Sequence, residues 1–443
     1  VQTMMIEQNE LLQQLSTLLG PEQILSTPEA CAAFQIGGHV PPLVVSPASQ
    51  EQLSGVLALA FATQAKVVAW GAGTQQTWGN PPDQIDLVVR TDGLKRVLVY
   101  EPDDLTISVE AGMTLGELDD LLAKHGQMLP LDGPLPRQAT IGGLLATFMD
   151  GPRRLGYGTA RDLMIGISVV EATGRISKAG GMVVKNVSGF DMMKLYLGSL
   201  GTLAIIASAN FKLIPRPRAA ATVWCGFERT EQANAFVDAI HASQLVPVAV
   251  EYLSGVEQAR GLKTVAVCAE GLPAAVERHV RDLPNLAQAS GVHTLEVLRD
   301  AEHSAFWAAV NDLPQTAQLG DNEALVRLIC LPSDMGAALV VSESLRDGLG
   351  ALAIDARALS GVAYLRLGGS AEQLQAAYAT LTANLGQRAP SARLSVLAGQ
   401  ERTASLQAWG RAPEGIDVMQ RIKDEFDPQA ILNPGRLADT LTR

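Results

Sequence analysis

The sequence is short of cysteine, histidine and charge, and each shortage removes a class of function. Four cysteines occur, Cys31, Cys225, Cys268 and Cys330, none in a CxxC pair. That spacing suits neither a zinc site, an iron–sulfur cluster nor a disulfide scaffold, so buried thiols in a reducing compartment are expected. Only four of the six histidines, His241, His279, His293 and His303, follow residue 218, and none makes an HxH or HxxxH pair, so no metal site is expected. No stretch approaches about 18 uninterrupted apolar residues, which excludes a spanning helix from expectation. The opening VQTMMIEQNE has neither the basic end nor the apolar run of a signal peptide, and a cytoplasmic location is expected. The net charge of −12 repels nucleic-acid backbones. Charged residues make up only 18% and hydrophobic residues 47%, which fits a large core or a large partner interface.

Glycine is plentiful instead, and irregularly spaced through residues 151–217 between short β-branched strands. At 443 residues two domains are the first expectation. Residues 7–19 read as an amphipathic helix ending at Gly20-Pro21, with a short helix after Pro28. A β-α-β unit follows: strand 43–45, a helix from Ser49 to Thr63, and strand 66–70. Thr114 and Glu117 form a capping-box pair opening a helix over 114–125. Residues 162–180 read as a hairpin turning at Thr173-Gly174, and a short helix over 192–196 precedes a strand over 203–214. Pro215 and Pro217 mark a boundary. Beyond it, strand-like pieces alternate with Ala-rich helices in two halves about residue 310, fitting an antiparallel sheet covered by helices. The tail reads as a helix over 417–426, a turn at Asp427-Pro428 and a short extended end. The expected division is 1–37, 38–217, 218–410 and 411–443.

Three glycine-bearing segments point to a cofactor with phosphates and a flat ring. In WGAGTQQTWGN (70–80), Gly71, Ala72, Gly73 and Thr74 suit an anion nest of backbone N–H groups. Gln76 breaks a GxGxxG pattern, no Lys-Ser/Thr end makes it a P-loop, and a plain turn explains the same residues. In the second segment Thr140 caps a helix starting at Ile141, placing Gly142 and Gly143 in its first turn, where glycine costs helix stability. Close approach of a ring or phosphate accounts for them, and so does tight helix–sheet packing. In the third, Gly198, Gly201 and Thr202 make a turn, while Lys185 and Asn186 either reach the cofactor or cap the turn. Arg153, Arg154 and Arg161 are either phosphate contacts or ordinary loop arginines.

Together these segments resemble the PCMH-type FAD-binding domain of the vanillyl-alcohol-oxidase superfamily, over roughly residues 38–217. The nearest resemblance is to the FAD-binding (E) subunits of bacterial glycolate oxidases. It is carried by Gly151–Arg154, Arg161-Asp162, Gly180-Gly181 through Asp191, Gly198–Leu203, and the ending FDPQAILNPGR at 426–436. The resemblance implies an α+β fold: a two-part FAD-binding domain, a cap of antiparallel sheet covered by helices, and a tail returning to the FAD domain. It implies cofactor contacts at Gly71, Ala72, Gly73 and Thr74; at Thr140, Ile141, Gly142 and Gly143; at Gly156, Gly158 and Asp162; at Gly201, Thr202 and Ile205; and at Asn433 and Gly435. Relatives that bind FAD covalently use a histidine or cysteine in the first two loops. Neither stands here, so noncovalent FAD is expected.

The catalytic relatives also carry a C-terminal histidine cluster, which this chain lacks. No general base is therefore named; His303, Glu302 and Arg366 are candidates only because they flank apolar pieces. The implied function is the FAD-binding subunit of a glycolate oxidase-type complex. It would pass electrons from glycolate or D-lactate to downstream carriers, with a homologous flavin subunit and an iron–sulfur subunit as partners. Membrane association would come only through those partners. The alternatives are a self-contained FAD-dependent 2-hydroxy acid dehydrogenase, which a cap longer than that of typical E subunits favours, and a non-catalytic subunit with a flavin-type fold. A phosphosugar or nucleotide oxidoreductase is a weaker option, because the cap is not notably basic.

Overall fold

The computed structural model describes residues 2–183, 190–315, 319–399, 408–410 and 414–437. Lys185 and Asn186 lie outside them. Two small sheets and a two-stranded pair, Gln127–Met128 with Ile214–Pro215, make up the N-terminal part. In the first, Val44–Val45, Leu87–Arg90 and Val67–Trp70 run parallel, with Ile24–Leu25 antiparallel at the edge. The second is antiparallel in the order Val97–Glu101, Thr106–Glu110, Ala204–Lys212, Met164–Glu171 and Ile176–Gly180.

The helix Gln50–Thr63 joins the two sheets. Ser49 caps it through the Gln52 amide, and its buried Leu53, Val56, Leu57 and Ala60 follow helical spacing. The hairpin turn at Gly174 (φ +83°) docks on this helix, where the Ser54 hydroxyl donates to the Gly174 carbonyl. A Cβ at 174 would stand 2.7 Å from that of Ala58. The Thr114–Glu117 capping box forms as its spacing predicts, opening the helix Leu115–Ala123.

Residues 219–398 form one eight-stranded antiparallel sheet. Its halves are Thr294–Arg299, Ala219–Phe227, Lys263–Gly271 and Ala249–Ser254, then Ala351–Arg357, Val362–Gly368, Glu323–Ile329 and Arg393–Ala398, in spatial order. They meet where Ala249–Ser254 pairs with Ala351–Arg357. One face is apolar. Val250, Tyr252, Ile354, Ala356, Leu365 and Val326 pack beneath the helices Thr230–Ala242, Pro273–Ala289, Pro332–Glu343 and Ala371–Arg388.

The period-two alternation sends Glu251, Asp355, Arg357, Tyr364 and Arg327 to the opposite face. That face abuts the N-terminal part: Leu325, Val362, Tyr364 and Leu397 share a core with Trp78, Met149 and Leu200. The tail helix Ile416–Phe426 leads back to the first sheet, where Leu432 bridges Val67 in parallel.

Candidate functional site

A cavity opens between the two small sheets. The loop leaving Val67–Trp70, the helix Ile141–Thr147 and the turn before Ala204–Lys212 line it. It brings together Gly71, Ala72, Gly73, Thr74, Thr140, Gly142, Gly143, Gly201, Ile205 and Asn433. Gly71 and Thr140 touch across it, since a Cβ on Gly71 would sit 2.3 Å from the Thr140 hydroxyl. Gly73 takes φ +78° against the Trp70 ring, a conformation that excludes most side chains. Among the described residues, the amides of Gly71, Ala72 and Gly73 donate to no protein acceptor. Three free donors in succession suit an anion.

The helix start differs from expectation. The Ile141, Gly142 and Gly143 amides are already committed, to the Met113 carbonyl, the Ala111 carbonyl and the Thr140 hydroxyl. Gly142 serves packing, with a Cβ there 2.8 Å from that of Ala111. A Cβ on Gly143 would stand 3.1 Å from the Thr140 hydroxyl oxygen.

Several expected contacts do not line this cavity. Ile141 is buried in the core. The Thr202 hydroxyl turns back to the Ser199 carbonyl. Gly156 closes on the large sheet, its amide donating to Val248. Gly158 (φ +83°) turns beside Asp162, whose carboxylate accepts from the Thr159 amide and is held below its usual pKa by that bond. Gly156 thus holds the segment against the large sheet, while Asp162 caps the short helix after Gly158. Gly435 (φ +80°) packs against Asp83. Arg153 and Arg154 pair with Asp132 (2.6 Å) and Asp150 (2.5 Å), and Arg161 is exposed; none of the three lines this cavity.

The residue that sequence reasoning missed is Arg436. It is buried in the cavity wall and donates to the Gln76 carbonyl (2.6 Å), the Gln76 side chain (2.6 Å) and Asn433 (3.2 Å). No carboxylate pairs with it among the described residues, and burial pushes its pKa down to about 10. A buried cation without a counter-ion is costly unless an anion completes it. The tail is fixed by Asp427, fully buried, which accepts from Lys423 (2.5 Å) and from the Ile431 and Leu432 amides. Asn433 then takes the left-handed φ of +48° and donates to the Leu200 carbonyl.

Residues 41–189 match the model of an FAD binding domain, and 399–437 that of the C-terminal domain of FAD-linked oxidases. The chain thus carries an FAD binding domain over residues 41–189, and its fold is that of the vanillyl-alcohol-oxidase type. It resembles the glycolate oxidase subunit GlcD of Bacillus subtilis strain 168, at 29% identity over 55% of this chain and 53% of that one. It resembles a D-lactate dehydrogenase of Archaeoglobus fulgidus at 34% over 48% and 47%, and the glycolate oxidase subunit GlcE of Escherichia coli K12 at 34% over 36% and 45%. These matches span about half the length of the relatives. A solved alkyldihydroxyacetonephosphate synthase has the same fold, with TM-score 0.74 and 18% identity over 97% of this chain and 86% of that one. The superfamily's two-part architecture, an FAD-binding unit and a cap of antiparallel sheet under helices, is the one expected from the sequence.

The cavity fits FAD. Free amides at 71–73 and the uncompensated Arg436 suit a pyrophosphate, and the glycines let backbone approach a flat ring. The lining holds neither histidine nor cysteine, so FAD binds noncovalently.

Of the candidate catalytic residues, Glu302 is exposed. His303 is buried, its Nδ1 2.8 Å from the Thr222 hydroxyl, and burial lowers its pKa. The fold brings it beside Cys268 and Glu270, all ligand atoms within 4.8 Å of one another, a grouping invisible in the spacing. Glu270 already accepts from Tyr157 (2.8 Å) with Arg153 4.0 Å away, and Glu270 and His303 line a cavity sharing no residue with the first. Arg366 opens on a third cavity with Asp355 and Tyr364.

Between that third cavity and the FAD cavity lies the inner face of the large sheet. Asp355, Tyr364 and Arg327 stand in one row across three strands. The Arg327 guanidinium lies 4.5 Å over the ring of Trp78, itself a wall of the FAD cavity. Arg327 Nε is enclosed without a hydrogen-bond partner, and no carboxylate pairs with this guanidinium among the described residues. Desolvation lowers its pKa. Arg357 lies over Tyr364 and bonds the Asp150 carbonyl.

Proposed function

We propose that this chain is a self-contained FAD-dependent dehydrogenase of small 2-hydroxy acids. Arg327 carries the reading: a cation without a carboxylate partner, set between the FAD cavity and an open cavity, suits a substrate carboxylate. Its planar fork would hold that group bidentately and leave the α-carbon toward the flavin. FAD would supply the oxidant, accepting a hydride from that carbon. The protein's part is to bind the anion, orient it and exclude water. The contacts implied at Gly71–Thr74, Thr140, Gly143, Gly201, Ile205 and Asn433, with Arg436, would hold the cofactor. Residues 38–217 and the tail would form its domain, and 218–410 the cap.

A second reading has a specific basis. The edge strand Val97–Glu101 exposes Val97, Leu98 and Val99, and such an apolar edge suits a partner chain. On this reading the chain would be a glycolate oxidase-type subunit working with a second flavin subunit and an iron–sulfur subunit.

The test is to purify the chain, record its visible spectrum and add glycolate or D-lactate without oxygen. Bleaching of the yellow protein is expected. Colour that persists alone but bleaches with added partner subunits favours the second reading. A colourless protein that FAD cannot reconstitute overturns both.

A further inference from the structure

Oxidising a hydroxy acid also requires an acceptor for the hydroxyl proton, and the inner face of the large sheet holds an unexplained carboxyl pair. Glu251 stands opposite Arg357, and Asp355 opposite Leu253, so the two acids are diagonal neighbours on one face. Both are buried. Neither Glu251 oxygen, nor Asp355 Oδ1, meets a hydrogen-bond donor. Two ionised carboxylates enclosed together would repel and leave their oxygens unsatisfied. One proton removes both faults: protonated Glu251 becomes a donor to Asp355.

The surrounding charges fit this state. Arg357 and Asp150 face the pair, with Tyr364 beside Asp355 in register. Desolvation and the Asp355 charge raise the Glu251 pKa; desolvation also raises that of Asp355, with Arg357 opposing it. Asp355 also lines the open cavity with Tyr364 and Arg366.

We propose that Glu251 and Asp355 hold one proton between them at neutral pH, and that Asp355 accepts the substrate hydroxyl proton. The O–H and C–H bonds break and the C=O bond forms. The proton goes to Asp355 and the hydride, with its electron pair, to oxidised flavin. Asp355 then returns its proton to water through the cavity. Asp355 is the catalytic residue and Glu251 positions it. This role rests on the dehydrogenase reading, but the shared proton does not.

Infrared spectra of the purified protein, with or without FAD, test the shared proton. A protonated-carboxyl band should be present in neutral buffer and vanish in E251Q. Its absence from the unsubstituted protein overturns the proposal. Anaerobic flavin reduction tests the base. D355N should keep the visible flavin spectrum but reduce about 10²–10⁴-fold more slowly, with partial recovery in D355E and a shifted pH profile in E251Q. Reduction of D355N at the unsubstituted rate overturns the role of Asp355. If the unsubstituted protein shows the band but no 2-hydroxy acid reduces its flavin, the dehydrogenase reading and the role of Asp355 both fall while the shared proton stands.

Discussion

Replacing Asp427 with alanine tests whether the returning tail completes the FAD cavity. Asp427 is fully buried and accepts from Lys423 Nζ (2.5 Å) and from the amides of Ile431 (3.0 Å) and Leu432 (2.7 Å). Its loss leaves a buried ammonium with only the Thr202 and Leu432 carbonyls, and two buried amides without acceptors. Breaking a buried pair by removing one partner costs about 3–5 kcal/mol, and each orphaned amide adds about 1–3 kcal/mol. Lys423, whose pKa burial already lowers, can shed its proton and limit the first cost. A loss of about 3–5 kcal/mol is therefore expected.

The damage should begin locally, because residues 431–436 undock before the core opens. Asn433 and Arg436 then leave the cavity, and apparent FAD affinity falls by the undocked fraction. Denaturant unfolding followed by far-UV circular dichroism, with flavin release followed by fluorescence, separates the two effects. Adding Lys423→Met removes the stranded charge, so the double variant should be less impaired than the sum of the singles. A cost under about 1 kcal/mol, additive singles, or unchanged FAD release would refute the argument.

Gly71→Val should abolish FAD retention while leaving the far-UV spectrum intact, since its side chain meets Thr140; the flavin-to-protein absorbance ratio measures this. Arg436→Met should weaken FAD binding in calorimetric titration and also loosen the Gln76 loop, while raising salt should weaken the unsubstituted protein far less. Arg327→Met should raise KM about 30-fold or more, the cost of losing a buried charged contact of about 2–5 kcal/mol, with flavin content unchanged. Glu251 has a folded pKa above its unfolded value, so its stabilising effect is complete at low pH and is lost as pH rises through the folded pKa. The denaturation midpoint should fall from mildly acidic to alkaline buffer, and Glu251→Gln should flatten that fall.

Much of the fold was legible locally. Ser49, Thr114 and Thr140 cap helices because a side-chain oxygen meets an amide two or three residues on, and Gly174 takes the left-handed turn its hairpin needs. The strands at 263–271, 362–368 and 393–398 follow apolar runs. The strands Ala249–Ser254 and Ala351–Arg357 were missed, because their inward positions carry Glu251, Asp355 and Arg357 and so break the apolar signal. That alternation of charge with apolar residues was the available clue to a functional face.

The sequence by itself determined the glycine turns, the caps and the FAD-type loops, because each depends on neighbours a few residues apart. Only the tertiary structure set the Gly156 amide against Val248 and left the Asp162 carboxylate capping Thr159 away from the cavity. It likewise placed Arg436 in the cavity wall without a counter-ion, set Arg327 over Trp78, and brought Glu251 beside Asp355 across more than a hundred residues of chain. Burial and pairing of charge depend on what the whole chain packs against them, and no local pattern carries that information.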